Sequence, residues 1–114
     1  MKIVRKGERG TYVPPGHDAA VTAEKLFDPT NGCSKVDVHI TTFAPHTGME
    51  EEIHPFSDHV LYMLEGELEA RQGGKTVSRI GKGDSLHIPA GESHQIVNPS
   101  PKPATFVAVT VPPA

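Results

Sequence analysis

Three histidines and one carboxylate in this chain fall where a metal ion could be gripped: Glu52, His54, His59 and His94. In the stretch Glu50–Gly66, EEEIHPFSDHVLYMLEG, Glu52 and His54 are two residues apart. On a strand such neighbours project from one face. Pro55-Phe56-Ser57-Asp58 then makes a bend, after which His59 opens the next strand. His94 would come in from a separate hairpin. Imidazole nitrogens with one carboxylate form a borderline N/O set that suits Fe(II), Mn(II), Ni(II), Zn(II) or Cu(II). Four donors on an ion that prefers six leave positions open for substrate or oxygen, which catalysis requires. Grouping these side chains in a half-buried mouth is costly unless an ion partners them.

The hairpin that must deliver His94 runs from Gly83 to Asn98. Gly83-Asp84 supplies a bend, since Gly accepts positive φ and Asp bonds its own backbone. Ser85-Leu86-His87-Ile88 reads as a half-buried strand that Pro89 stops by lacking an N–H. Gly91 lets the chain reverse, so His94 is held on a return strand rather than on a loop tip. Rigid backbone of this kind is what a metal site needs.

The spacing Gly83, Pro89, Gly91, His94, Asn98 resembles the second conserved motif of the cupin superfamily, matching at every position. The family's first motif has two histidines one residue apart, a glutamate a few residues on, and a glycine seven beyond that. Counted back from Gly66, the glutamate position falls at His59 and the two histidine positions at Glu52 and His54. Glu52 and His59 are thus exchanged relative to the family, although the donor set is preserved. A rival register, counted forward from Gly48, puts Phe56 and Val60 at ligand positions, and neither can bind a metal. The first register is preferred, with His46 standing where the motif's leading glycine falls.

The resemblance implies an all-β fold, a double-stranded β-helix or jelly-roll-like cupin barrel, mostly antiparallel. It implies one divalent transition metal in the barrel mouth and a small-molecule ligand or substrate. Activity of dioxygenase, isomerase, lyase or decarboxylase type would follow. It also implies a homodimer, with N-terminal strands such as Lys2–Lys6 exchanged or packed between copies. A non-catalytic binding or sensing module and a metal-free structural barrel are the alternatives, and the fold alone does not choose among them.

Composition agrees with that class. At 114 residues the chain is one domain, with residues 1–34 as N-terminal strands and turns packing on a barrel of residues 35–114. Eleven glycines and eleven prolines favour short strands punctuated by turns. Lys35–Phe43 alternates Val36, Val38 and Ile40 against Asp37, His39 and Thr41, and the pattern does not say which face is interior. His59–Leu64, Glu67–Arg71, Thr76–Ile80 and Thr105–Val111 read as further strands, and Ala19–Phe27 is assigned as strand rather than helix. A net charge of -3 without a basic tract argues against nucleic acid and anionic membranes as partners. The single cysteine, Cys33, excludes an intrachain disulfide and suits a reducing, cytoplasmic setting. The N-terminus lacks the apolar run of a signal peptide.

Among the other histidines, His87 is a candidate substrate-binding group or proton shuttle. His17 and His46, flanked by turn residues, are expected in solvent. Glu50 competes with Glu52 as the acidic ligand.

Overall fold

Alternation of buried and more exposed residues is clearest in two of the longest strands of this chain, near its middle and its C-terminal end. In the computed structural model, which describes all 114 residues, there are ten strands. They are β1 (Thr11–Tyr12), β2 (Val21–Phe27), β3 (Asp37–Phe43), β4 (Thr47–Gly48), β5 (Asp58–Glu65), β6 (Glu67–Gln72), β7 (Lys75–Gly81), β8 (Ser85–Ile88), β9 (Gln95–Asn98) and β10 (Ala104–Val111). Ala104, Phe106, Ala108 and Thr110 are buried on one face of β10, while Thr105, Val107 and Val109 are half-buried on the other. β5 buries Leu61 and Met63 and leaves Val60, Tyr62 and Leu64 exposed.

The strands form two antiparallel sheets, ordered β1-β2-β3-β10-β5-β8 and β4-β9-β6-β7. This is the all-β double-stranded β-helix. Its ladders do not close into one continuous ring: β1, β8, β4 and β7 remain sheet edges. The core between the sheets is built on Val21, Phe43, Met63, Leu68, Ile96 and Phe106 with their neighbours. No helix is long and apolar enough to cross a membrane.

The cross-strand register decides what the cavity sees. β10 lies between β3 and β5, pairing Thr110 with both Asp37 and His59, Ala108 with both His39 and Leu61, and Phe106 with both Thr41 and Met63. Residues directly opposite one another share a face. The inward face of β3 is therefore the polar one, Asp37, His39 and Thr41, whereas Val38 and Ile40 point outward. Only Phe43 carries the apolar core along this strand.

Turn chemistry follows the sequence closely. Asp28 caps a short 3-10 turn (Pro29–Asn31), its Oδ1 accepting from the Thr30 N–H, and Gly32 closes the turn at φ 99°. Gly66 joins β5 to β6 at φ 75°, and a Cβ there would collide with the Pro103 carbonyl oxygen. Only glycine lets that turn sit against the start of β10. The strand expected at Lys2–Lys6 is not formed. No strand pairs with that segment, and Lys6–Glu8 makes a 3-10 turn instead.

Candidate metal centre and cavity

Between the sheets lies a cavity of about 320 Å3. Its walls are mostly apolar, with Phe43, Leu61, Ile88 and Phe106 among the lining residues, and no lysine or arginine lines it. Glu52, His54, His59 and His94 all face into it.

Main-chain bonds bring the distant pieces together. Residues 52 and 94 form an antiparallel bridge, in which Glu52 N–H donates to the His94 carbonyl (2.9 Å) and His94 N–H to that of Glu52 (3.0 Å). Gly91, at φ 82°, donates its N–H to the His54 carbonyl at 2.9 Å. The 52–54 segment is not a regular strand, but it is extended enough that Glu52 and His54 face inward while Ile53 is exposed. His59 enters from β5, one position inside its start.

One ligand atom each from Glu52, His54 and His94 lies within 4.8 Å of the others. His54 Nε2 is 2.8 Å and His94 Nε2 3.5 Å from the same oxygen, Glu52 Oε1. The His59 ring stands beside them, 4.1 Å from that of His54 and 5.9 Å from that of His94 between centroids. Its Nδ1 bonds the Thr110 hydroxyl at 3.1 Å, and its Nε2 is buried without any hydrogen-bond partner. His94 Nδ1 donates to the Glu92 carbonyl at 3.0 Å, leaving Nε2 free to act as a ligand. Outer contacts of this kind fix tautomer and ring direction in metal sites. The orphaned Nε2 of His59 and the convergence on one carboxylate oxygen are what a divalent ion would satisfy, so the donor set fits the group that the fold implies.

The electrostatics point the same way. Burial would raise the Glu52 carboxyl, but hydrogen bonds from His94 and His54 outweigh it and hold the group at about 2. Burial, followed by the neighbouring His54 and His94, pushes His59 down to about 4, which keeps its imidazole neutral as a ligand must be. His94 moves up: burial opposes the shift, but the bonds to Glu52 and Glu92 prevail.

These shifts predict the acid response of the metal-free protein. The unfolded chain protonates His59 near 6.5 and the folded chain only near 4, so stability falls as pH drops through that window. Loss of the Glu52 contribution extends the fall below 4.5. His94 acts oppositely: its contribution is complete below 6.5 and is lost as pH rises through its raised folded value. Thermal midpoints of chelated protein should therefore decline from pH 6.5 to 4, and His59→Leu should flatten that decline. A midpoint that holds steady over this range in the wild type would contradict the burial of His59.

The remaining candidates separate cleanly. His87 does not face the cavity: its side chain is exposed on the outer side of β8, paired with Asp58 at 3.0 Å. Glu50 is exposed, and Glu51 accepts from the Gly73 N–H and the Ser93 hydroxyl, so Glu52 alone of the acidic run points inward. Phe56 and Val60, the ligand positions of the rival register, are both exposed. His46 lies in solvent, but His17 does not. It is half-buried, lines the cavity and meets Phe43 edge-on at 5.7 Å, held there by its bridge to Met49.

Residues 39–110 match the cupin domain, and the chain belongs to the cupin family. It is 32% identical over 96 residues to the tetracenomycin polyketide synthase protein TcmJ of Streptomyces glaucescens. That match covers 83% of this chain and spans 64% of the length of TcmJ. The polyketide cyclase RemF from Streptomyces resistomycificus superposes with a TM-score of 0.83 at 25% identity, over 97% of this chain and 79% of that one. A predicted oxalate decarboxylase from Thermotoga maritima superposes with a TM-score of 0.81 at 24% identity, over 99% and 100% of the two chains, a likeness of fold.

Proposed function

We propose that this cupin holds one divalent transition-metal ion on Glu52, His54, His59 and His94 and acts on a small, neutral carbonyl compound, by isomerase- or lyase-type chemistry that includes ring closure. The observation that carries the assignment is the buried, unpartnered Nε2 of His59 beside three converging donors. Bound there, the ion would polarise a carbonyl oxygen as a Lewis acid.

The cavity supports the substrate class. Its volume lies at the low end of the range for small-molecule sites, and its aromatic and aliphatic walls would exclude water from an apolar ring. With no lysine or arginine in the lining, a phosphoryl group would find no guanidinium or ammonium partner beyond the ion itself. The relatives named for polyketide biosynthesis, TcmJ and RemF, favour poly-carbonyl substrates over sugar phosphates. The test is turnover of aryl diketones by metal-loaded protein, with sugar phosphates as controls. Metal-dependent conversion of diketones, abolished by chelator, is expected. Binding of diketones without conversion would instead make the protein a sensing module, and preference for sugar phosphates would overturn the substrate class.

A homodimer is part of the same proposal. Val38, Ile40, Val107, Val109, Val60 and Tyr62 form two adjacent cross-strand apolar rows on the outer face of the six-stranded sheet. A second copy would cover them. Sedimentation should give twice the monomer mass, and Tyr62→Lys should return it to the monomer. A wild-type monomer at micromolar concentration would refute the dimer.

A further inference from the structure

Asp37 and His39 form a second polar group in the cavity, on the wall of β3 rather than among the four converging donors. They are two residues apart on one strand and so share its inward face. His39 Nδ1 lies 2.9 Å from Asp37 Oδ1, and the two side chains are only 17% and 27% exposed. Both line the cavity, as does Thr41, the next residue on that face. Thr41 is 2% exposed, and its hydroxyl has no hydrogen-bond partner in the protein.

We propose that His39, oriented by Asp37, is the general base of this enzyme, taking a proton from the carbon next to a substrate carbonyl, with the Thr41 hydroxyl available to the bound molecule. The inference rests on the metal-dependent function proposed above and deepens it.

Three observations carry the assignment. First, the carboxylate of Asp37 accepts the Nδ1–H, which leaves the lone pair on Nε2, the nitrogen on the far side of the ring. Second, there is room in front of it. The residue opposite His39 on β10 is Ala108, whose methyl group leaves open the space that a larger side chain would fill. Third, the spacing suits a substrate held between two groups. Asp37 and His59 flank Thr110 in one register row, two strand spacings or about 10 Å apart. His39 is the next inward residue along from Asp37, and it lines the same cavity as the His59 cluster from a strand two places away in the sheet.

A His–Asp pair that merely decorates a strand looks different, and this chain contains one. His87 and Asp58 meet at 3.0 Å on the outer face with both side chains about half exposed, 56% and 50%. The inner pair is sequestered with an unsatisfied hydroxyl beside it. Half-buried polar groups on an inward strand face, with the buried Thr41 hydroxyl beside them, carry a cost that a purely structural role does not offset.

The proton balance closes without an oxidant. Nε2 takes the proton from the carbon, the C–H electrons become the enolate double bond, and Asp37 balances the imidazolium charge. In a ring closure the enolate carbon attacks a second carbonyl of the same molecule, forming a C–C bond. The resulting alkoxide then takes the proton back from Nε2–H. In an isomerisation the proton returns to a different carbon.

Deuterium exchange at the α-carbon of 2-tetralone, a neutral two-ring ketone, followed by proton NMR in D2O, tests the step alone. Metal-loaded wild type should accelerate exchange over buffer. His39→Gln, which retains a partner for Asp37, should lose at least about 100-fold, the usual worth of a general base. Asp37→Asn, as loss of a positioning residue, should lose about 10-fold in kcat with KM for the ketone unchanged. It should also shift the proton from Nδ1 in histidine-selective 15N spectra. Both variants should hold as much metal as wild type. Exchange by His39→Gln at the wild-type rate overturns the inference, and so does metal-replete wild type without acceleration. Wild type that takes up no metal removes the function on which the inference rests, and the inference with it.

Discussion

Replacing His94 with alanine should abolish retention of the proposed metal ion while leaving the protein folded. His94 is a buried member of the cluster, with Nε2 facing the oxygen of Glu52 that His54 also meets. Its Nδ1 is committed to the Glu92 carbonyl, so no rotation of the ring could offer a different nitrogen without breaking that bond. Alanine removes one of the four proposed ligands outright. The loss in affinity should exceed the about 10–100-fold that follows loss of a group merely supporting a ligand. The backbone should survive, because the two-way bridge between residues 52 and 94 uses only main-chain groups. Ions per chain, measured by mass spectrometry after dialysis against a weak chelator, should fall from one to near zero. The circular dichroism spectrum should be unchanged. An equimolar ion retained by His94→Ala would show that the metal sits elsewhere.

Asn98→Ala should have the largest effect on stability. Asn98 is fully buried, and its amide ties three segments together. The two Nδ2 hydrogens are shared among the carbonyls of Phe43 (3.0 Å), Ala44 (3.2 Å) and Lys102 (2.8 Å), while Oδ1 accepts from the Ser100 N–H at 3.0 Å. Those contacts clamp the end of β9 to the end of β3 and to the connection that leads into β10. Each bond is worth about 1 kcal/mol net, and each partner left unsatisfied in a dry site costs about 1–3 kcal/mol. A loss of about 3–5 kcal/mol is expected, a large part of a typical domain's stability of about 5–15 kcal/mol. Asn98→Asp should be at least as damaging, since it turns a charged acceptor toward three carbonyls. Urea unfolding measures this, with a lower midpoint at unchanged slope. A change under about 1 kcal/mol would mean that water replaces the amide. Because Asn98 lies four residues beyond His94 on the same hairpin, metal affinity should fall with it.

Much of this architecture is legible in the residue pattern because its signals are local. Ser85–Ile88 bounded by Gly83-Asp84 and Pro89 is strand β8 as expected, and Gln72-Gly73-Gly74-Lys75 is the β6–β7 turn. The strand expected over Ala19–Phe27 is β2, which begins at Val21 because Ala19 and Ala20 form a turn. What local pattern cannot supply is the partner across a sheet. β1 and β4, two residues each, exist only because β2 and β9 pair with them. Lys2–Lys6 has strand-like composition but no partner. His17, among prolines and a glycine, reads as solvent-exposed, yet its bridge to Met49 carries it into the cavity. The direction of β3 is the same problem on a larger scale. Its alternation is plain in the sequence, but only the register with β10 shows that the polar residues face inward. Asp37 and His39 are therefore legible in the sequence as an alternating pair, whereas their place on the cavity wall is not. Two-residue spacing puts Glu52 and His54 on one face without long-range information, whereas the hydrogen bond that aims His59, to Thr110 some fifty residues away, is beyond any local signal.

A single ion held by side chains from three separate stretches of the chain would have a direct crystallographic signature. Anomalous diffraction at the absorption edge of the ion carried by the purified protein tests it most directly. The peak should lie among the imidazoles of His54, His59 and His94 and the carboxylate of Glu52. No peak after metal saturation, or one that leaves Nε2 of His59 without a partner, would contradict it.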